Sequence, residues 1–364
     1  MRSFAKVLAV SAVAALALTG CGRADTTSPA AGASGGAAAA GFPANSLIGV
    51  ALPQKTSENW VLAESLFNDG LSSAGFQKDV QFANGGVTEQ QNQIQAMVTK
   101  GAKVIIVGAI DSKQLGTQLK AAKDSGAIVI AYDRQLQDTD AVSYYLAYDN
   151  DKVGQLQGQA LLDGMKAKKA NGPYNVELFA GSPDDPNAKV FFDGAMKILK
   201  PKIDDGTLKI ASGQKDFTQV VTQGWKPENA QKRMDTLLTA NYAGGTTLDG
   251  VLSPNDTLAR AILQSVKQAG KATPIVTGQD SEVESVKSIM AGQQYSTINK
   301  DTSKLVAAAI AMVTSLQKGE TPTTTATDNN GMKSVPTNYL PPVVVTKANA
   351  AEAYKGTSLE QYTK

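Results

Sequence analysis

The chain has 364 residues, with 35 Lys and Arg, 33 Asp and Glu, and no histidine. Its nearly balanced charge and its lack of basic runs argue against a nucleic-acid partner. The absence of histidine excludes histidine-based catalytic triads, most zinc sites and the most frequent general base. The composition does not exclude an enzyme that uses only carboxylates, lysine or tyrosine in catalysis.

The first twenty residues have the pattern of a secretory signal. Arg2 and Lys6 precede an apolar run from Val7 to Leu18, and this order is typical of a signal peptide. The run is too short to cross a bilayer core of about 30 Å comfortably. It ends in Leu-Thr-Gly before Cys21, which resembles the lipobox of bacterial lipoproteins, where cleavage before the cysteine is followed by acylation.

Cys21 is the only cysteine of the chain, so its acylation would leave no thiol for a disulfide. Residues 22–45 are rich in Ala, Gly, Ser, Thr and Pro, a composition typical of a flexible tether. We therefore expect a signal at 1–20, a lipid-anchored tether at 21–45 and a folded part from Ser46. Several acyl chains would hold the protein on the outer face of the cell membrane, in the periplasm if the source has an outer membrane.

From Ser46 onward, short apolar runs alternate with amphipathic stretches. The first part of this pattern predicts strands at 47–52, 80–83, 103–108 and 127–132, separated by helices at 58–74, 87–100 and 112–125. Such a βαβα order predicts a parallel sheet with helices on both faces.

The same order starts again in the second half of the chain. It predicts strands at 176–180, 208–212, 250–253 and 274–278 and helices at 187–200, 227–240 and 257–269, the first of them ended by Pro201. A long helix at 302–317 and a last crossing with an edge strand at 339–345 follow. Because about 320 residues exceed one ordinary core, we expect two doubly wound α/β lobes.

Polar and aromatic side chains follow the predicted strands, where parallel sheets bind ligands. Carboxylates, amides, Arg and Lys suit the hydroxyls of a sugar, and aromatic rings suit its CH faces. Each residue also has a structural interpretation: Asp256 and Asp280 as helix caps, Asp133 with Arg134 as a local ion pair, and both tryptophans as core residues.

Six short stretches together resemble one known family. They are Tyr132-Asp133-Arg134, Gly181 to Asp185, Gly224 to Ala230, Ser253 to Asp256, Gly278-Gln279-Asp280 and Tyr295 to Thr302. Through them, nearly all of residues 46–364 resembles the periplasmic sugar-binding proteins of ABC transporters. The similar group is cluster B, the ribose, xylose and galactose type, and within it the xylose-binding and multiple-sugar receptors.

The resemblance implies a type I periplasmic binding protein fold with two lobes and a three-stranded hinge. The N-terminal lobe would comprise residues 46–148 and 301–338, and the C-terminal lobe residues 149–300 and 339–364. The chain would cross between them near Asp149, Lys300 and Tyr339, and closure of the lobes would trap the sugar.

The resemblance also implies the residues of the site. Those that bind sugar hydroxyls would be Asp133 and Arg134 from the first lobe and Asn187, Asn255, Asp280 and Lys300 from the second lobe and the hinge.

The same comparison implies stacking by Trp60 on one face of the sugar and by Trp225 or Phe191 on the other. Lys55 occupies a first-loop position that can reach the ligand. Asn59 stands where the similar proteins carry Arg, so one charged donor is missing. Asp256 follows Asn255 as in xylose binders, and either contacts the sugar or caps the next helix.

We therefore expect a monomeric receptor that passes a monosaccharide of the xylose, glucose, galactose or arabinose type to an ABC permease and its ATPase. We expect no catalysis, no metal and no cofactor. A sugar sensor that presents its closed form to a membrane kinase is the alternative. A repressor of the lactose type is disfavoured because residues 1–45 read as a signal and a tether and not as a helix-turn-helix. A carboxylate-based glycosidase is disfavoured because the family's site binds without reacting.

Overall fold

The computed structural model describes residues 41–55 and 57–364. The predicted signal, Cys21 and all but the end of the predicted tether lie outside the described residues. Within the described ranges, no helix combines the length and the hydrophobicity needed to cross a bilayer.

The first lobe is built on a seven-stranded sheet in the order β11-β12-β5-β4-β3-β1-β2. Its neighbouring strands are parallel except for the antiparallel pair β11 and β12. The strands are β1 (Leu47–Leu52), β2 (Gln77–Phe82), β3 (Val104–Val107), β4 (Ile128–Tyr132), β5 (Val142–Tyr148), β11 (Ala326–Asn329) and β12 (Ser334–Leu340).

Helices cover both faces of this sheet, and each face has its own apolar core. Phe67 and Val313 belong to one core, and Met97 and Leu119 to the other. The helices are α1 (Glu58–Ser73) and α10 (Thr302–Gln317) over the first core, and α2 (Val87–Thr99) and α3 (Gly116–Asp124) over the second.

The second lobe contains a four-stranded parallel sheet in the order β7-β6-β8-β9, and β10 pairs antiparallel with β13. The strands are β6 (Tyr174–Leu178), β7 (Leu208–Lys209), β8 (Gly250–Leu252), β9 (Ile275–Val276), β10 (Ser296–Asn299) and β13 (Val343–Thr346). The helices are α4 (Asn150–Lys168), α5 (Pro186–Asp204), α6 (Phe217–Val220), α7 (Pro227–Asn241), α8 (Asp256–Gln268), α9 (Val283–Met290) and α11 (Ala350–Ala353).

Glycines let α4 and α5 approach closely. A Cβ at Gly154 would lie 2.0 Å from the carbonyl oxygen of Phe191, and one at Gly194 would lie 2.4 Å from the carbonyl oxygen of Asp151. Larger side chains would push the helices apart because interiors are close-packed. The contact fixes the position of α5, whose first turns carry Asn187 and Phe191.

The chain passes between the lobes at three places. Asp149 separates β5 from α4, Lys300 and Asp301 separate β10 from α10, and Pro341-Pro342 separates β12 from β13. The Asp149 and Asp301 carboxylates accept backbone N–H groups of the helices that follow, so each of these two crossings leads directly into a capped helix. This confirms the predicted α/β class with two doubly wound lobes. The last crossing follows Leu340, so the predicted boundary at residue 339 lies inside β12.

Some elements differ from the sequence prediction. Helix α5 continues past Pro201 to Asp204 instead of ending there. The proline deprives only the carbonyl of Lys197 of a partner, and Lys197 is exposed to water, so the helix tolerates it. Strand β5 and helix α4 were not predicted, because their apolar residues are interrupted by Tyr, Gln and Gly.

Candidate functional site

A cavity between the two lobes, here called the cavity, lies at the carboxyl ends of strands from both parallel sheets. This is where open α/β sheets bind ligands. Ten of the twelve predicted site residues line it: Asn59, Trp60, Asp133, Arg134, Asn187, Phe191, Trp225, Asn255, Asp280 and Lys300.

Lys300 joins carboxylates of both lobes on one side of the cavity. Its ammonium lies 3.0 Å from Asp280 Oδ1 and 3.8 Å from Asp133 Oδ2, and its side chain is 9 % exposed. Burial opposes its charge, but the combined attraction of Asp280, Asp133 and Asp185 raises the pKa of Lys300. Burial also raises the pKa of Asp280, against the opposing effect of Lys300.

Arg134 and Asp185 form a second ion pair across the cleft. Arg134 Nε lies 2.9 Å from Asp185 Oδ2, and both side chains are nearly buried. The indole N–H of Trp225 donates to the same carboxylate oxygen at 3.1 Å, while Arg134 donates to the carbonyl of Ala109 at 2.8 Å. Burial raises the pKa of Asp185 although Arg134 acts to lower it.

Two amides connect the site to the fold. The Asn187 amide donates to the carbonyl of Asp133 at 2.8 Å and so links the lobes. Asn255 Oδ1 accepts the backbone N–H of Leu258 at 3.0 Å, so Asn255 is the N-cap of α8 as well as a cavity residue.

Aromatic rings form the apolar walls. Trp60 and Phe191 line the cavity from opposite lobes, and Trp225 lines it beside Arg134. The Arg134 guanidinium lies 5.4 Å from the Trp60 ring and the Lys300 ammonium lies 5.3 Å from the Phe191 ring. Each of these two cations therefore lies against an aromatic ring, so the cavity wall offers hydrogen-bond donors next to apolar ring surface.

Two predicted residues do not reach the cavity. The Lys55 ammonium lies 3.2 Å from Glu64 Oε2 and 4.5 Å from the Phe82 ring, because its long side chain turns to α1 and β2 of its own lobe. The Asp256 carboxylate is fully buried behind the site, where Gln294 and Thr297 bond it. Neither residue is positioned to contact a ligand in the cavity.

The sequence prediction also missed cavity residues. Asp185 belongs to the Gly181 to Asp185 stretch that carries the family resemblance, and its position after β6 is the signal that could have identified it as a cavity residue. The Gln279 side chain lines the cavity, and its Oε1 is buried and accepts no hydrogen bond from the described residues. The other missed lining residues are Ser57, Ala63, Tyr132, Tyr148, Thr302 and Leu305.

The size and charge of the cavity limit what it can hold. Its volume is about 60 Å³, which is small beside the roughly 300–1,000 Å³ of ordinary small-molecule pockets. Three carboxylates, of Asp133, Asp185 and Asp280, face the two cations of Arg134 and Lys300. The site therefore suits one small, uncharged, hydroxyl-rich molecule better than an anion.

The chain matches the model of the periplasmic binding protein domain over residues 48–321. It is 47% identical over 309 residues to the multiple sugar-binding periplasmic receptor of Rhizobium radiobacter, covering 83% of this chain and 87% of that protein. It is 36% identical over 303 residues to the D-xylose-binding periplasmic protein of Escherichia coli strain K12, with 83% and 87% covered.

Solved structures resemble the chain in the same way. An ABC transporter solute-binding protein from Clostridium phytofermentans with bound β-D-glucose is 38% identical, with a TM-score of 0.83 and coverage of 87% of this chain and 100% of that one. A carbohydrate-transporter solute-binding protein from Chloroflexus aurantiacus in complex with D-glucose is 35% identical, with a TM-score of 0.79 and 86% and 96% covered. The chain belongs to the periplasmic binding protein family.

Proposed function

We propose that the protein is an extracytoplasmic receptor that captures one monosaccharide between its lobes and delivers it to an ABC permease with its ATPase. The observation that carries this proposal is the inter-lobe cavity, in which two cations and three carboxylates stand between aromatic walls. The lobes would open and close about the three crossings, and the permease would act on the closed form. We expect the receptor to work as a monomer.

The chemistry of the lining supports a sugar. Each sugar hydroxyl donates one hydrogen bond and accepts others, so it can bridge a carboxylate such as Asp280 and a cation such as Lys300. Gln279 Oε1 adds an acceptor that has no partner among the described residues. A ligand without these hydroxyls would leave buried polar groups unpaired, at about 1–3 kcal/mol each, which makes the site selective.

The relatives support the sugar class. The similar receptors bind multiple sugars or D-xylose by name, and the similar solved structures hold glucose. We propose a ligand of the xylose, glucose, galactose or arabinose type. Asn59 lines the cavity next to the stacking position of Trp60, and is the residue we expect to influence the choice among these sugars.

Calorimetric titration of the mature protein with xylose, arabinose, glucose, galactose, ribose and fucose tests the proposal. We expect at least one sugar to bind with a Kd in the micromolar range or tighter, and to be recovered chemically unchanged. Arg134→Ala should lose most of this affinity and stay folded. Failure of all six sugars to bind would refute the proposed ligand class, and sugar turnover would refute a pure receptor.

We also propose that acylated Cys21 holds the receptor at the membrane. Cys21→Ser should move the protein from the membrane fraction to the soluble fraction and abolish lipid labelling, while sugar binding by the folded part stays unchanged. Deletion of the gene that encodes the protein should abolish cellular uptake of the sugar that the protein binds. Unchanged uptake together with a lost cellular response to the sugar would favour the sensor alternative.

A further inference from the structure

The carboxylate of Asp256 lies behind the wall of the cavity, not in it. Asp256 is the first residue of α8 and directly follows Asn255, which lines the cavity. Its side chain is fully buried among polar groups of the second lobe. A buried carboxylate without a ligand or a counter-ion of its own needs a structural reason, since burying a charge is unfavourable.

Asp256 holds both ends of the loop from Gln279 to Glu282, here called the 279–282 loop. The backbone N–H of Asp256 donates to the carbonyl of Gln279 at 3.0 Å. The Asp256 carboxylate accepts the backbone N–H of Glu282, also at 3.0 Å. One residue therefore ties down the start and the end of this four-residue loop.

Thr297 links the same carboxylate to the middle of the loop. Its hydroxyl donates to Asp256 Oδ2 at 2.9 Å and accepts the backbone N–H of Ser281 at 3.2 Å. The Gln294 amide donates to Asp256 Oδ1 at 2.8 Å. Both oxygens of Asp256 are thus engaged, and three of the four loop residues depend on it directly or through Thr297.

The backbone of the loop needs this support. Asp280 has φ of 95° and Ser281 has φ of 56°, both in the left-handed region that residues with a Cβ avoid. Each such residue costs about 1–3 kcal/mol, and it persists only where the surroundings impose it. If the loop relaxed, the Asp280 carboxylate would leave its place 3.0 Å from Lys300.

Gly278 shows how closely the carboxylate fits. A Cβ at this position would lie 2.0 Å from Asp256 Oδ1 and 2.6 Å from the Gln294 amide nitrogen. The space beside the start of the 279–282 loop is therefore filled by the Asp256 carboxylate and its donor. A side chain at position 278 would force the carboxylate away from the loop.

We propose that Asp256 is a positioning residue for sugar binding, which fixes the 279–282 loop so that Gln279 and Asp280 are presented to the ligand. This inference rests on the proposed function. It assigns Asp256 an indirect role in affinity, which is neither of the two roles that the sequence left open, contact with the sugar or capping of the next helix.

Glu177 provides a matched control for a purely structural role. It is a fully buried carboxylate of the same lobe, on β6, and it does not line the cavity. It accepts the backbone N–H of Ser212 at 3.1 Å and the hydroxyl of Tyr242 at 2.9 Å. Replacing Asp256 or Glu177 should lower the free energy of unfolding, but only the replacement of Asp256 should loosen the 279–282 loop and weaken sugar binding.

The first test is amide hydrogen exchange without sugar. In Asp256→Ala, the amides of Ser281 and Glu282 should exchange at least tenfold faster, relative to amides of β8, than in the wild type. In Glu177→Ala their relative rates should stay unchanged. Unchanged rates in Asp256→Ala would overturn the inference, and this result does not depend on whether any sugar binds.

The second test is calorimetric titration with D-glucose and D-xylose. Asp256→Ala should weaken binding at least tenfold and Glu177→Ala less than twofold. Asp256→Asn should recover most of the affinity, because its amide oxygen can accept from Thr297 and Glu282. Wild-type affinity in Asp256→Ala would overturn the inference. If the wild type binds neither sugar, the proposed function fails and the exchange result alone decides this inference.

A double-mutant cycle separates positioning from general loss of stability. In an Asp280→Asn background, Asp256→Ala should weaken binding by less than threefold, because the group it positions is already altered. If Asp256→Ala weakens sugar binding in the Asp280→Asn background as much as it does in the wild type, the inference is overturned. If Asp256→Ala does not fold, Thr297→Val takes its place in all three measurements, with the same supporting and overturning results.

Discussion

Arg134 of the first lobe and Asp185 of the second form an ion pair 2.9 Å long across the cleft. Both residues line the cavity, and Trp225 donates to the same Asp185 oxygen. The pair therefore contributes to the ligand site and to the contact between the lobes at once. A change at either residue should affect sugar affinity through both effects.

Asp185→Asn should weaken sugar binding by tenfold or more. Asn still caps α5, so the helix is kept, but the buried Arg134 loses its counter-charge, which is strongly unfavourable. Calorimetric titration and thermal unfolding measure the two effects. Asp184→Asn, at a half-exposed neighbour, is the control and should bind within twofold of the wild type; equal losses in both variants would contradict the prediction.

Gly181→Ala should disturb the Trp225 wall. A Cβ at position 181 would lie 2.1 Å from two atoms of the Trp225 indole, a rigid ring that cannot yield locally. The ring would move into the cavity, and we expect at least a tenfold loss of affinity with a changed tryptophan emission spectrum. Gly244→Ala, where a Cβ meets nothing within 4 Å, should change neither property. An unaffected Gly181→Ala variant would show that Trp225 does not fill this space.

Glu58→Ala should weaken the binding of every sugar by the same factor. The Glu58 carboxylate accepts the backbone N–H of Val283 at 2.9 Å, from the start of α9 in the other lobe, and Glu58 does not line the cavity. A net hydrogen bond of about 0.5–1.5 kcal/mol corresponds to roughly a two- to tenfold loss. Titration of the variant with all sugars that bind the wild type measures this factor.

The control for Glu58 is Glu64→Ala on the same helix, because Glu64 pairs with Lys55 inside the first lobe. It should leave affinity unchanged. A change in the order of preference among sugars in Glu58→Ala would contradict a role confined to the contact between the lobes.

The stability of the wild type relative to Asp256→Asn should depend on pH. Burial raises the pKa of Asp256 well above its ordinary value, and the carboxylates of Glu282 and Asp280 add to this effect. The native state therefore binds a proton at pH values where the unfolded chain, with a carboxyl pKa of about 3.9, has lost it. The free energy of unfolding should fall, relative to the variant, as the pH rises above about 4, and the difference should become constant above the native pKa.

Urea unfolding of both proteins between pH 4 and pH 8 checks this prediction. Two curves with a constant difference over the whole range would show that the native carboxyl titrates like that of the unfolded chain.

The strand-end rule explains why much of the site could be predicted. Asp133 directly follows β4, and Asn187 lies in the first turn of α5 after the loop that follows β6. The carboxyl ends of these strands meet at the cleft whatever their exact bounds. The prediction did not need the missed strand β5 or the helix α4. Naming the individual residues also needed the resemblance to the sugar-binding family, because each strand-end residue has a structural interpretation as well.

The direction of single side chains could not be predicted in this way. Asn255 and Asp256 are adjacent at the start of α8, yet one lines the cavity and the other bonds the 279–282 loop behind it. The loop that Asp256 contacts has left-handed backbone at Asp280 and Ser281, and no glycine in the sequence marks these two positions. Lys55 was misplaced for a related reason, since its flexible side chain is fixed by Glu64, nine residues away.

Lys300 is both a cavity residue and the first residue of the crossing from β10 to α10. A sugar that bonds to it would act directly on the pivot between the lobes. Occupancy of the cavity and closure of the lobes would then be coupled at this residue, in addition to the contact that the Arg134–Asp185 pair makes between the lobes. A biosensor made from this receptor would therefore need its dye near the rim of the cleft, where the displacement on closure is largest. Substitutions of Lys300 would change the sugar affinity and the closing motion together.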